Sequence, residues 1–178
     1  ALDVSRQYGA VFGPNGDVST DKLAVHPATF RAALGDARDS LPAWANLVDP
    51  EHTDVSLAGK DVHGRVAKVL EEPLAPTIVS PGAPPETGVW RPQAVKAVGA
   101  AKALSWERES AVEKAYVEYP RHGVIRSVAL TTRKKAAYRR TLRTVRKYLS
   151  KLAHYDWTTT RSARAAASRI SVAFGPAR

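Results

Sequence analysis

Residues 60–72 read KDVHGRVAKVLEE, and residues 73–92 continue PLAPTIVSPGAPPETGVWRP. The first stretch places Val62, Val66, Val69 and Leu70 at intervals that fall on one side of a helix, so the spacing predicts a helix from Lys60 to Glu72. Gly64 opposes it by up to ~1 kcal/mol. The second stretch holds six of the twelve prolines: Pro73, Pro76, Pro81, Pro84, Pro85 and Pro92. Proline fixes its own φ and has no amide proton, so neither a helix nor a central strand is expected there. A stiff, extended segment is. Two uses for it stay open. One is a linker or surface loop; the other is an arm that wraps a neighbouring subunit through Ile78, Val79 and Trp90.

On this reading the chain is mainly α. It is a helical bundle with a small N-terminal hairpin or loop and a central Pro-rich extended segment. It divides into an N-terminal helical region over 1–72, the extended linker or arm over 73–92 and a C-terminal helical region over 93–178. Upstream, Asn15-Gly16 between short apolar flanks is a turn signal. His26-Pro27 opens a helix with Phe30, Ala33, Leu34, Ala37 and Leu41 at helical spacing, ended by Pro42. Residues 43–48 add a short turn. Downstream, helix is expected from Gln93 to about Glu118, with a bend near Ser105, and Pro120 stops it. Val124 to Thr131 is rich in β-branched residues and reads as a strand.

Charge is distributed unevenly. The first 118 residues carry twelve basic and sixteen acidic residues; the remaining sixty carry fifteen basic residues and one acid, Asp156. A chain polarised in this way is suited to hold a polyanion at one end. Within that end, Tyr138, Leu142, Val145, Leu149 and Leu152 step by 4, 3, 4 and 3, which predicts an amphipathic helix over 133–154. Opposite the apolar stripe lie Arg133, Arg140, Arg143, Lys147 and Lys151, and Arg139 and Arg146 flank it. Residues 133–151 contain nine basic residues and no acid. Surface helices normally mix signs and gain a few tenths of a kcal/mol per opposite pair, whereas like charges cost a similar amount. A phosphate chain relieves that repulsion. A solvated basic face, or docking on the acids of 106–118, is the plainer alternative, and an anionic membrane a further one.

A second basic helix is expected over 160–173, with Ala163, Ala166, Ala167 and Ile170 on one face and Arg161, Arg164 and Arg169 on the others. Tyr148 and Trp157 are placed to stack unpaired bases, a contact of about 1–3 kcal/mol per base. His122 and His154 lie in the basic region and add phosphate contacts at low pH.

The sequence shows no catalytic signature. Cysteine is absent, which removes disulfides and thiolate chemistry. The five histidines form no zinc motif, Gly13 to Gly16 lacks the lysine of a P-loop, and no Gly-x-Ser-x-Gly elbow occurs. The acids Asp49, Glu51, Asp54 and Asp61 cluster without a metal-ligand spacing. No stretch is long and apolar enough to span a membrane, and no classical signal peptide opens the chain.

The expected function is therefore non-enzymatic binding of nucleic acid, RNA or DNA, with no cofactor, no metal and no membrane. Phosphate contacts are assigned to Arg139, Arg140, Arg143, Arg146, Lys147, Lys151, Arg161, Arg164 and Arg169, and base stacking to Tyr148 and Trp157. A packaging or assembly protein of viral coat, nucleocapsid or nucleoid type, acting as a homo-oligomer in a virion or in the cytoplasm or nucleoid, fits spread-out charge and a wrapping arm. The other readings are a helix-turn-helix regulator, a ribonucleoprotein component and an enzyme using the acids at 49–61.

Overall fold

The computed structural model describes residues 2–12 and 20–155, with side chains from Asp3 through Lys151 apart from 13–19. The turn expected at Asn15-Gly16 and the second basic helix, with Trp157, Arg161, Arg164 and Arg169, lie outside the described residues.

The protein is an α/β fold rather than a mainly α one. Two short helices, α1 (Leu2–Ser5) and α2 (Tyr8–Val11), stand where a hairpin or loop was expected. Helices α3 (Pro27–Ser40) and α4 (Trp44–Val48) follow, the former with Pro27 in its first turn as the sequence implied. Three strands then run in a meander: β1 (His52–Ala58), β2 (His63–Glu71) and β3 (Leu74–Val79). Helix α5 (Arg91–Glu107) crosses to β4 (Lys114–Tyr119), which pairs with β5 (Val124–Ala129). Helix α6 (Thr132–Tyr155) closes the described chain. The five strands form one mixed sheet in sequence order, antiparallel except for β3 beside β4, where α5 supplies the crossover a parallel pair requires.

Three corrections follow. The stretch expected as a helix over Lys60–Glu72 is mostly β2. Its valines serve a sheet: Val66 and Val69 pack under α5, while Leu70 packs under the N-terminal helices. The Pro-rich segment does contain a strand, because Pro76 is the only proline inside β3 and the strand's other amides remain free to pair. The expected helix over 93–118 stops at Glu107, and its tail is β4. Residues 115–119 are buried along their whole length, since β4 is an inner strand covered on both faces. Such a strand shows no polar alternation, and alternation is the signal by which a sequence announces a strand.

Two cores result. On one side, Val98 and Leu104 of α5 pack with Leu57, Val62, Val117 and Val128. On the other, Tyr8, Phe30, Leu34 and Leu47 of α2 to α4 pack with Tyr116 and Ile125 of the sheet. Strands from 52–79 and 114–129 therefore share one sheet with helices on each side. Close approach fixes two glycines. A Cβ on Gly59 would stand 2.8 Å from the Ala103 Cα, and one on Gly123, at φ +68°, would stand 2.6 Å from the Phe30 carbonyl oxygen.

A buried ion pair ties the N-terminal layer to the sheet. Lys68 Nζ on β2 lies 3.2 Å from Glu118 Oε2 on β4, and it donates to the carbonyl oxygens of Ser5 at 3.2 Å and Leu47 at 2.8 Å. The Ser5 hydroxyl donates to the same carboxylate oxygen. The ammonium also stands 5.0 Å from the centre of the Tyr8 ring. Burial, and then the Glu118 charge, hold the Tyr8 phenol well above its ordinary pKa.

Candidate nucleic-acid interface

Helix α6 owes its place to its own periodicity. Tyr138 and Leu142 are buried in the core that α5 roofs, so the first half of the apolar stripe docks on α5. Val145 and Leu149 are only half-buried, so the second half is less covered than the sequence implied. The helix has 24 residues and spans about 36 Å.

Its polar face carries the charge. Arg133, Arg139, Arg140, Arg143, Arg146, Lys147 and Lys151 are all exposed, while Lys134 and Lys135 are half-buried. Arg146 donates to Asp61 Oδ1 at 2.7 Å, which ties the helix to the turn between β1 and β2. Both partners are well exposed to solvent, so this bridge orients more than it stabilises. Among the described residues, the other exposed cations of α6 make no ion pair. Docking of this helix on the acids of 106–118 is not what is seen, because Glu107 and Arg108 instead engage the Ala58 amide and Glu71.

Tyr148 is 66% exposed and stands beside Lys147 and Lys151 on the same helix. Tyr138 is not available to a ligand, being 3% exposed. Its phenol is pushed up to about 12, first by burial and then by the Asp61 charge, with Arg146 opposing. His122 is pushed down by burial and then by Arg121, so its protonation is disfavoured where a phosphate contact would need it.

Helix α5 contributes cations that periodicity alone did not single out. Arg91, Lys96 and Lys102 are exposed and, among the described residues, without ion pairs. They share the outer layer with α6, which packs on α5. Their signal in the sequence was the lack of any acid between Arg91 and Trp106.

The fold splits the acids at 49–61, leaving Asp49 and Glu51 together and drawing Asp54 and Asp61 elsewhere. Asp54 pairs with Arg65 at 2.6 Å, Asp61 with Arg146, and Glu51 lies 3.9 Å from His52. Asp49 and Glu51 line an open cleft of about 390 Å³ with Asn46, Glu71 and Glu72. Among the described residues, no group of three or more His, Asp or Glu side chains is arranged to hold a metal ion. The Ser5, Lys68 and Glu118 triad has residue types that elsewhere perform catalysis, but all three are sealed from solvent and join layers of the fold. Among the described residues no helix is long and apolar enough to cross a membrane.

No family model, curated protein or solved structure matches this chain.

Proposed function

We propose that this protein binds nucleic acid without turning it over, laying the outer face of α6 along a phosphate backbone, and that it serves in packaging or assembly. One observation carries the reading. Six cations on that face, Arg133, Arg139, Arg140, Arg143, Lys147 and Lys151, are exposed and, among the described residues, lack carboxylate partners. A helix that keeps like charges unpaired gains from a polyanion what it loses in their mutual repulsion. The contacts position the protein on the backbone and carry no base sequence, which suits packaging better than regulation. The basic residues of α5 widen the same charged layer, and Tyr148 offers an aromatic surface within it.

The test is affinity for unrelated RNA and DNA sequences across a salt series, alongside electron microscopy of the mixtures. Packaging requires similar affinity for all sequences, a steep salt slope and ordered assemblies. Replacing Arg140, Lys147 and Lys151 together with Gln should flatten the slope by about two to three units. An unchanged slope removes α6 from the interface. Discrete complexes with a preference of ~10³-fold for one site point instead to a regulator.

A further inference from the structure

Phe12, Trp90, Trp106 and Tyr148 are the large apolar side chains that stand exposed among the described residues, and their surroundings differ. Phe12 is 42% exposed but closed in: its ring meets Trp44 edge-on at 6.0 Å, and the Arg38 guanidinium lies 4.8 Å from its centre. The Trp90 indole donates to the Ala83 carbonyl at 2.9 Å. Trp106, 60% exposed, and Tyr148, 66% exposed, have no ring and no cation against them among the described residues.

Both of these bare aromatics lie among unpaired cations. Trp106 follows Lys102 by one turn of α5, and Arg91, Lys102 and Trp106 fall within about 60° of one another around the helix. On α6, Tyr148 lies next to Lys147 and three residues before Lys151, the spacing of neighbours on a helix surface. Arg91, Lys102, Lys147 and Lys151 are exposed and make no ion pair among the described residues. The two helices pack on each other, so both groups belong to one outer layer. Where α5 ends and α6 begins, an open cleft of about 520 Å³ joins them, with Ser105, Leu130, Thr131 and Lys135 in its wall. Ser105 directly precedes Trp106, and Lys135 lies in the first turn of α6. Glu113 also lines the cleft, which suits a base or sugar there better than a phosphate.

Extending the reading of α6 as a phosphate-binding face, on which this step rests, we infer that the polyanion is single-stranded, with its phosphates on the unpaired cations and unpaired bases stacked on Trp106 and Tyr148. Charge alone favours the other choice. A duplex releases more counterions per phosphate contact than a single strand, so a purely cationic face binds it at least as well. A duplex, however, keeps the faces of its bases stacked on one another and offers none to a side chain. A single strand exposes them, and stacking on an aromatic ring strengthens binding whichever base is present. An aromatic left bare beside a cation therefore serves a single strand and not a duplex. The tolerance of stacking for any base also accords with packaging.

Fluorescence anisotropy with labelled oligo(U), oligo(dT) and a duplex of equal length, at matched salt, tests it. The single strands should bind about tenfold more tightly than the duplex. Trp106→Ala should lose about tenfold for single strands and less than about twofold for the duplex, with the salt slope unchanged because no phosphate contact is removed. Tyr148→Ala should act in the same direction, and Trp106→Phe, which keeps a ring, should retain most of the affinity. The side chains are exposed, so thermal midpoints of the variants should match that of the parent. Equal affinity for oligo(U) and oligo(dT) assigns the surface to the chemistry that RNA and DNA share, and a preference for either assigns it to that one. Duplex binding as tight as single-strand binding, or full single-strand affinity in a folded variant carrying both Trp106→Ala and Tyr148→Ala, overturns the single-strand assignment and leaves the α6 reading standing. Binding of neither nucleic acid overturns both.

Discussion

Lys68 and Lys147 are the same residue in opposite circumstances. Lys68 lies on β2 at 2% exposure with a carboxylate and two carbonyl oxygens as partners. Lys147 lies on α6, exposed, with a turn of like charges around it. A buried ammonium must be partnered by its own protein, because leaving it without compensation costs several kcal/mol. An exposed one is solvated whether or not it has a partner, so leaving it free costs little and keeps it available. The contrast divides the molecule into cations that hold the fold together and cations that the fold holds out.

The strongest attempt to break that division is Lys68→Ala. It leaves the Glu118 charge buried and removes the link to Ser5 and Leu47, so unfolding should move down by about 3–5 kcal/mol in a denaturant titration. A loss below 1 kcal/mol would mean the pair does not bind the layers together. Next in size is Leu142→Ala, expected to cost about 2–5 kcal/mol because the side chain is buried against α5. Leu149→Ala should cost clearly less, since Leu149 is only half-buried; equal losses would show that the far half of α6 is covered as well.

Smaller effects sharpen the comparison. Asp61→Asn removes the only carboxylate that an exposed α6 cation pairs with among the described residues, and should change stability by no more than about 1 kcal/mol, less at high salt. It should slightly tighten nucleic-acid binding by freeing Arg146. The smallest effect is titrimetric. The Tyr138 phenol is held at about 12 in the fold, above its ordinary value of 10.0. The unfolded chain therefore releases that proton first, and the tyrosine's contribution is intact below pH 10 and lost as pH climbs toward 12. Tyr138→Phe should remove that part of the alkaline decline, read from thermal midpoints at pH 9 and 11.

What could be seen in the sequence follows the physics of each element. Helix α6 was legible because its burial is one-sided: a stripe of Tyr138, Leu142, Val145 and Leu149 against a polar remainder is the record of one face docked and one face wet. Helix α3 was legible from Pro27 at its start and Pro42 beyond its end. Strand β4 was not, because a central strand covered on both sides keeps no polar face, and KAYVEY reads equally well as the tail of the helix before it. Strand β2 misled for a different reason. Val62, Val66, Val69 and Leu70 fit a helical side by spacing, but Val62 lies in the turn before β2 and the other three serve both faces of the sheet. The acids at 49–61 looked like one cluster in the chain, yet ion pairs with Arg65 and with Arg146 of α6 draw Asp54 and Asp61 away from Asp49 and Glu51.

By itself the sequence determined the segregation of charge, the amphipathic helix that carries it and the absence of thiol chemistry. These follow from residue identity and local period, which no neighbour can alter. Only the tertiary structure decided that the middle of the chain is a sheet and that Lys68 and Glu118 meet 50 residues apart. Those depend on contacts between distant segments, and a strand's partners, unlike a helix's, lie elsewhere in the chain.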